Sequence, residues 1–125
     1  MENKVLIEKY KEENIFYVYI YLDPRKPGKY IYREYSFDYE PFYVGKGCGR
    51  RVSEHMCDCC DENKEKYAII QEMKKENTKP LISILNSNLS EKNALKTETK
   101  YIDAIGKINN KTGPLTNKFR KGSNF

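Results

Sequence analysis

The order of the predicted elements, strand, strand, helix, helix, strand, helix, indicates a mixed α/β layer fold in this chain of 125 residues. Three observations carry the prediction. Residues 15–22 alternate between two kinds of side chain, a glycine cluster follows a second extended run, and residues 94–105 show apolar side chains at helical spacing. No repeat or linker divides the chain, so we expect one domain over residues 1–125.

The first predicted strand, residues 15–22, has two chemically different faces. Alternation places one apolar set on one side, namely Phe16, Val18, Ile20 and Leu22. The opposite side carries rings with polar tips, those of Tyr17, Tyr19 and Tyr21. We therefore expect the first face in the core and the tyrosine face at a partly hydrated site. Asp23-Pro24 is expected to end the strand.

A second strand is predicted at residues 41–45, where Phe42 and Val44 would share a face opposite Tyr43. It runs directly into Gly45-Lys46-Gly47-Cys48-Gly49, and a helix is expected to begin near Arg50. The preceding residues 30–40 alternate aromatic and charged side chains, which fits hairpin or extended structure.

Caps and breakers define the later elements. Asp61 is a suitable N-cap for a helix that runs to about Asn77, and Pro80 prevents its continuation. Residues 81–85 form the third predicted strand. Ser90 caps a last helix, which Gly106 closes.

The net charge of +5 lies at the C-terminal end. No acidic residue follows Asp103, and residues 107–125 hold five basic ones, Lys107, Lys111, Lys118, Arg120 and Lys121. This segment fits a surface that binds a polyanion and, equally, a solvated terminus. No apolar run is long enough to cross a membrane, and the charged extension of residues 1–14 lacks the apolar stretch of a signal peptide. An intracellular protein without a membrane partner is expected.

Glu98 lies within the apolar stripe of the last helix, three or four residues from Ala94, Tyr101 and Ile102. A carboxylate in that position either reaches water at the edge of the stripe or is buried with a partner such as a metal. Arg51 and His55 would share one helical face, which alone is a weak signal. The glycine cluster with Lys46 could approach a phosphate, or could simply form a turn.

Four cysteines, Cys48, Cys57, Cys59 and Cys60, lie close together in the sequence. Adjacent and alternate cysteines pair poorly with each other, because a disulfide needs a defined separation. With His55, the last three could bind zinc, but four ligands within six residues would strain a tetrahedral site. Incidental thiols are the other interpretation.

In combination these residues resemble the GIY-YIG nucleases, in particular the branch found as the catalytic domain of LEM-domain nucleases. Tyr17-Val18-Tyr19 stands for the Gly-Ile-Tyr motif, and Tyr43-Val44-Gly45 for Tyr-Ile-Gly. Arg51, His55 and Glu98 match the family's helical Arg and His and its metal-binding Glu. Leu115-Thr116-Asn117 matches its late Leu-x-Asn, so the likeness covers about residues 15–120. Tyr17 replaces the first glycine, and residues 24–40 lengthen the link between the motifs.

The resemblance implies a GIY-YIG-like small three-stranded sheet flanked by helices and a metal-dependent endonuclease. Glu98 would hold one divalent cation, Mg²⁺ or Mn²⁺, and Arg51 would clamp the scissile phosphate. Tyr19, with Tyr43 or His55, would activate water, while Asn117 orients the site. Because a free tyrosine has a pKa of about 10, Tyr19 would need positive charge nearby, from Lys46, Arg51 or the metal.

The substrate implied is a nucleic acid, with DNA expected, cut by a monomer or a transient dimer. Its expected contacts are Tyr17, Gly45, Lys46, Gly47, Lys118, Arg120 and Lys121, and the aromatic residues 30–39 could stack on unpaired bases. Two alternatives remain: a binding module of the same fold that does not cut, and a zinc protein centred on the cysteines.

Overall fold

A computed structural model describes residues 15–48 and 63–117. Its elements are β1 (Phe16–Tyr32), β2 (Tyr35–Cys48), helix α1 (Lys64–Lys75), β3 (Leu81–Leu89), helix α2 (Glu91–Ile105) and a short 3-10 turn (Ile108–Asn110). The strands form one antiparallel sheet in the order β2-β1-β3. The predicted α/β fold, a small three-stranded sheet with flanking helices, is confirmed. No helix in the described part of the chain is long and apolar enough to span a membrane.

The two faces of β1 separate as the alternation predicts. Val18, Ile20 and Leu22 are buried in an aliphatic core with Val44, Ala94, Ile105 and Leu115, and Phe16 packs against it. The opposite face, however, is not partly hydrated. Tyr17, Tyr19 and Tyr21 are at most 8% exposed, because Ile70 and Met73 of α1 cover them. The central strand is therefore buried on both faces from Tyr17 to Asp23.

The first strand is longer than predicted, since Asp23-Pro24 does not end it. β1 continues to Tyr32 and pairs with β2 throughout, with irregular register around Pro27. Proline is tolerated here because β3 pairs with β1 only as far as Leu22, so beyond that point β1 has a sheet neighbour on one side. Residues 24–40 are therefore a continuation of the β1–β2 hairpin.

Two side-chain interactions fix the ends of α1. Asn63, rather than the predicted Asp61, is the N-cap: its side chain accepts a hydrogen bond of 3.0 Å from the Lys66 N–H. At the other end, Arg25 of β1 bonds both Asp23 and Glu76, each at 2.9 Å. Burial of Asp23 by itself raises the pKa of that carboxyl, but the Arg25 hydrogen bonds outweigh it and the pKa is lowered. Asp61 lies outside the described residues.

The last helix begins and ends where the sequence predicts. The Ser90 hydroxyl accepts from the Asn93 N–H at 3.1 Å, and Gly106 closes the helix with a φ of 92°. A side chain at position 106 would meet the backbone of Thr112, so the turn that follows needs glycine there.

Candidate active site

Four tyrosines from the two central strands form a cluster on the sheet face covered by α1. Tyr17, Tyr19 and Tyr21 come from alternate positions of β1, and Tyr43 lies opposite Tyr21 on β2. The Tyr19 ring centroid is 6.3 Å from that of Tyr43 and 5.6 Å from that of Tyr21. We call these four residues the tyrosine cluster. The strand pairing therefore brings together the tyrosines of the two sequence motifs, which are more than twenty residues apart.

Gly45 makes room for the central ring of this cluster. It pairs with Tyr19 across the strands, and a Cβ atom there would lie 2.4 Å from both the Cζ and Oη atoms of Tyr19. Gly47 faces Tyr17 in the same way, with a Cβ 2.9 Å from that hydroxyl. Both glycines were predicted to contact substrate phosphate. Their role in the described structure is close packing under the tyrosine rings, and a phosphate contact stays a prediction.

Glu98 is buried, at 5% exposure, on α2 between the core residues Ala94 and Ile105. Of the two readings of its place in the stripe, the structure favours the buried carboxylate. The charge of Glu98 contributes to the raised pKa of Tyr19. The fold therefore brings the metal-binding candidate and the tyrosine proposed as the base within electrostatic range of each other, which sequence spacing alone cannot establish.

The surroundings of Tyr19 favour its neutral form. Burial is the largest cause of a strongly raised pKa, and the charges of Tyr43, Tyr21, Glu98 and Tyr17 raise it further. Tyr19 consequently keeps its proton at neutral pH unless positive charge lies nearby. Ionising Tyr19 at neutral pH therefore requires more positive charge nearby in the folded chain than ionising a free tyrosine would.

Lys46 does not supply that positive charge to Tyr19. It pairs with Val18, a residue of the aliphatic face, while its neighbour Gly45 pairs with Tyr19. The Lys46 Nζ lies 3.7 Å from a carboxylate oxygen of Glu91 and 5.4 Å from the centre of the Phe16 ring. Adjacent strand residues point to opposite faces, so the expectation that Lys46 acts on Tyr19 is wrong. A contact between Lys46 and substrate stays a prediction.

Asn117 acts as a short extension of the sheet beside Tyr43. Its side-chain oxygen accepts from the Val44 N–H at 3.0 Å, and its amide donates to the Val44 carbonyl at 2.7 Å. The preceding Thr116 donates twice to the Phe42 carbonyl, from its hydroxyl at 2.7 Å and its backbone N–H at 2.8 Å. Residues 116–117 thereby hold β2 on both sides of Tyr43, which fits the orienting role expected of Asn117.

Replacing Asn117 by Asp is expected to destabilise the fold by about 2 kcal/mol. The new carboxylate oxygen would face the Val44 carbonyl where an amide now donates, and burial at 7% exposure leaves little water to relieve the repulsion. Thermal or urea unfolding of the variant measures the loss. The control is Asn110→Asp at an exposed position of the 3-10 turn, which should leave stability unchanged. Equal stability of Asn117→Asp and wild type would show that the two hydrogen bonds between Asn117 and Val44 do not stabilise the fold.

Lys66 of α1 contacts the tyrosine cluster, and the sequence does not indicate it. It is 2% exposed, and its Nζ lies 4.2 Å from the centre of the Tyr43 ring and 5.9 Å from that of Tyr21. A signal was present, since Lys66 precedes Ile70 by four residues and Met73 by seven, which places it on the buried face of the helix. A lysine at such a position is predicted to lie on the surface unless it is known what packs against that face of the helix.

The aromatic hairpin is used for packing. Tyr32, Phe37 and Tyr39 pack against the aliphatic core, and the Tyr35 ring lies 4.4 Å from that of Tyr101 on α2. These rings are engaged within the protein, so the expectation that they stack on unpaired bases is not supported for them. The hairpin fills space beside α2 because its aromatic residues recur on the side that faces the helix.

Several predicted site residues lie outside the described ranges. They are Arg51, His55, Cys57, Cys59, Cys60, Lys118, Arg120 and Lys121. Their roles, and the zinc alternative, stay predictions. Cys48 is within the described part and is a free, partly buried thiol.

The donor set around Glu98 fits a hard cation. Within residues 15–48 and 63–117, no group of three or more His, Cys, Asp or Glu side chains could hold a metal. Mg²⁺ does not require such a group, since it commonly binds one or two carboxylates and retains several waters. A single buried carboxylate matches that preference, whereas no nitrogen or sulfur ligand set of a structural zinc site is present within residues 15–48 and 63–117.

Comparison with known proteins gives one family match. The model described as the LEM-3-like GIY-YIG domain matches residues 16–124, which is most of the chain. Comparison with curated proteins finds no match, and comparison with solved structures finds none either.

Proposed function

The chain belongs to the LEM-3-like GIY-YIG family, a family of nucleases, and from this premise we propose that it is a metal-dependent endonuclease that hydrolyses phosphodiester bonds in DNA. The observation that carries the proposal is that the fold buries the Glu98 carboxylate and brings the motif tyrosines Tyr19 and Tyr43 together, with 6.3 Å between their ring centroids. Burying a carboxylate is costly unless a cation or hydrogen bonds compensate. A bound cation is one such compensation, and it would also serve the reaction.

Glu98 is the residue that would hold the cation, Mg²⁺ or Mn²⁺. When bound, the cation supplies stabilisation of the negative charge that develops on the phosphate and on the leaving oxygen. The chain's own contribution is low hydration around the tyrosines, because Tyr19 and Tyr21 of β1 are both fully buried. Charges beside them would interact more strongly than in water.

Tyr19 is proposed to receive the proton of the attacking water. The water oxygen forms a bond to phosphorus, the bond from phosphorus to the leaving oxygen breaks, and the water proton passes to the ionised Tyr19 oxygen. Because the described surroundings raise the pKa of Tyr19, that ionised form needs positive charge in the assembled site. Arg51, proposed to clamp the scissile phosphate, is one source of it, and His55 and Tyr43 would assist in the proton transfer.

Substrate is expected to approach through the phosphate backbone. Lys46 and the basic residues Lys118, Arg120 and Lys121 are proposed to bind phosphates, which would make affinity fall as salt concentration rises. Such contacts position DNA without reading its sequence, so a structure-preferring enzyme is proposed over a site-specific one.

The test is cleavage of supercoiled plasmid by purified protein, with Mg²⁺ or Mn²⁺ and with a chelator. We expect cleavage with the metal only. A nicked product indicates a single site acting on one strand, and direct linearisation indicates paired sites. If plasmid remains intact, branched DNA and RNA are the next substrates. Failure to cut any of them, together with retained binding in a gel-shift assay, would overturn the enzyme in favour of the binding module.

A further inference from the structure

Lys66 presents a charge where the surrounding structure calls for an apolar side chain. It shares the buried face of α1 with Ile70 and Met73, both of which pack on the tyrosine cluster. Lysine is almost never fully buried unless something offsets the loss of water around its ammonium. Methionine would fill a similar space without a charge, so the groups that the ammonium contacts decide what lysine contributes at this point.

The position of Lys66 relative to Tyr43 is fixed from both sides by one segment of the chain. Asn63 caps the helix at the Lys66 N–H and donates 2.8 Å to the Thr116 carbonyl. Thr116 and Asn117 in turn bind β2 at the residues before and after Tyr43. The helix that carries the ammonium and the strand that carries the ring are thus anchored to the same two residues.

The contact itself is a cation–π interaction. The Lys66 Nζ lies 4.2 Å from the Tyr43 ring centre, well within the range over which an ammonium is attracted to a ring face. Lys46 contacts the Phe16 ring on the other face of the sheet, so among residues 15–48 and 63–117 the cation that contacts the tyrosine cluster is that of Lys66. The negative charge of Glu98, by contrast, contributes to the raised pKa of Tyr19.

We propose that Lys66 is a positioning residue of the cleavage reaction: its ammonium fixes the ring of Tyr43 and supplies buried positive charge to the tyrosine cluster. This inference rests on the proposed nuclease function. Because its ammonium lies 4.2 Å from the Tyr43 ring centre, Lys66 is proposed to act through Tyr43 and not on DNA itself. Its loss should therefore slow the reaction without weakening substrate binding.

The experiment compares Lys66→Met, Lys66→Arg and the control Lys74→Met, an exposed lysine of the same helix. Steady-state cleavage with Mg²⁺ gives kcat and KM, and thermal unfolding gives Tm. We expect Lys66→Met to lower kcat about tenfold with KM unchanged, because a misplaced group slows chemistry more than binding. Its Tm should lie within about 2 °C of wild type, since methionine fills a similar space beside Ile70 and Met73. Lys66→Arg should recover most of the rate, and Lys74→Met should match wild type.

A second measurement asks whether Lys66 acts through Tyr43. In a Tyr43→Phe background, Lys66→Met should cause little further loss of kcat, because residues that act as a unit are not additive. Full additivity would overturn the proposal, as would parallel losses of Tm and kcat in Lys66→Met. If wild type cuts and Lys66→Met cuts equally well, the role of Lys66 alone is overturned. If wild type cuts nothing, the nuclease function and the role of Lys66 both fall.

Discussion

Glu98→Gln is expected to lower metal-dependent cleavage by about 10³-fold while leaving the protein folded. The substitution keeps the shape of the side chain and removes the negative charge that is proposed to hold the cation. Removal of that charge also removes one cause of the raised pKa of Tyr19, so it would make this tyrosine slightly easier to ionise. A large loss of rate would therefore indicate loss of the cation and not a Tyr19 that is harder to ionise.

The fold should tolerate Glu98→Gln because glutamine has the size and shape of glutamate and keeps a carbonyl oxygen in the same place. At 5% exposure, a neutral amide also needs less compensation for its burial than a carboxylate does. We expect a Tm within about 3 °C of wild type. Loss of cleavage without loss of folding separates a metal-binding role from a structural one.

The measurement is plasmid cleavage by wild type and Glu98→Gln at increasing Mg²⁺, with chelator as the blank. Asp103→Asn, at an exposed acidic position of the same helix, is the matched control and should cleave as wild type does. Cleavage by Glu98→Gln at the wild-type rate would show that Glu98 is not the metal ligand. Partial recovery at high Mg²⁺ would support a weakened but existing site.

Gly45→Ala is expected to lower cleavage by about 10²-fold and to destabilise the fold by about 3 kcal/mol. The added Cβ would stand 2.4 Å from the Cζ and Oη atoms of Tyr19, much closer than van der Waals contact permits. Tyr19 is fully buried and surrounded by other rings, so it cannot move aside without displacing Tyr21 or Tyr43. The strain therefore falls on the atoms proposed to perform the chemistry.

Gly47→Ala provides a graded comparison for this prediction. Its Cβ would meet the Tyr17 hydroxyl at 2.9 Å, and Tyr17 retains 8% exposure, so this ring has more freedom to move. We expect smaller losses of both stability and rate than for Gly45→Ala, measured by urea unfolding and by plasmid cleavage. An equal or larger loss in Gly47→Ala would contradict the inference that the Tyr19 ring has less freedom to move than the Tyr17 ring.

Sequence patterns predict the residues of the candidate site more fully than they predict which residues surround Tyr19 and Tyr43 in space. The two tyrosine motifs, Arg51, His55, Glu98 and Leu115-Thr116-Asn117, in that order along the chain, together indicate the family, which the match over residues 16–124 confirms. The sequence does not indicate Lys66, because a lysine in a helix is ordinarily a surface residue. The sequence also offers Lys46, next to Gly45, as one source of positive charge for Tyr19, whereas the strand pairing places Lys46 on the other face of the sheet.

Local chemistry by itself determined the alternation of β1, the capping of α2 by Ser90 and its closure at Gly106. These features depend on residues a few positions apart, where backbone geometry fixes which side chains share a face and which groups can cap. Tertiary structure decided what covers each face. Three features depend on distant parts of the chain: the burial of the tyrosine cluster under α1, the continuation of β1 past Pro24, and the effect of the Glu98 charge on the pKa of Tyr19. Periodicity defines a face but not its partner, because the partner is selected by the packing of the whole molecule.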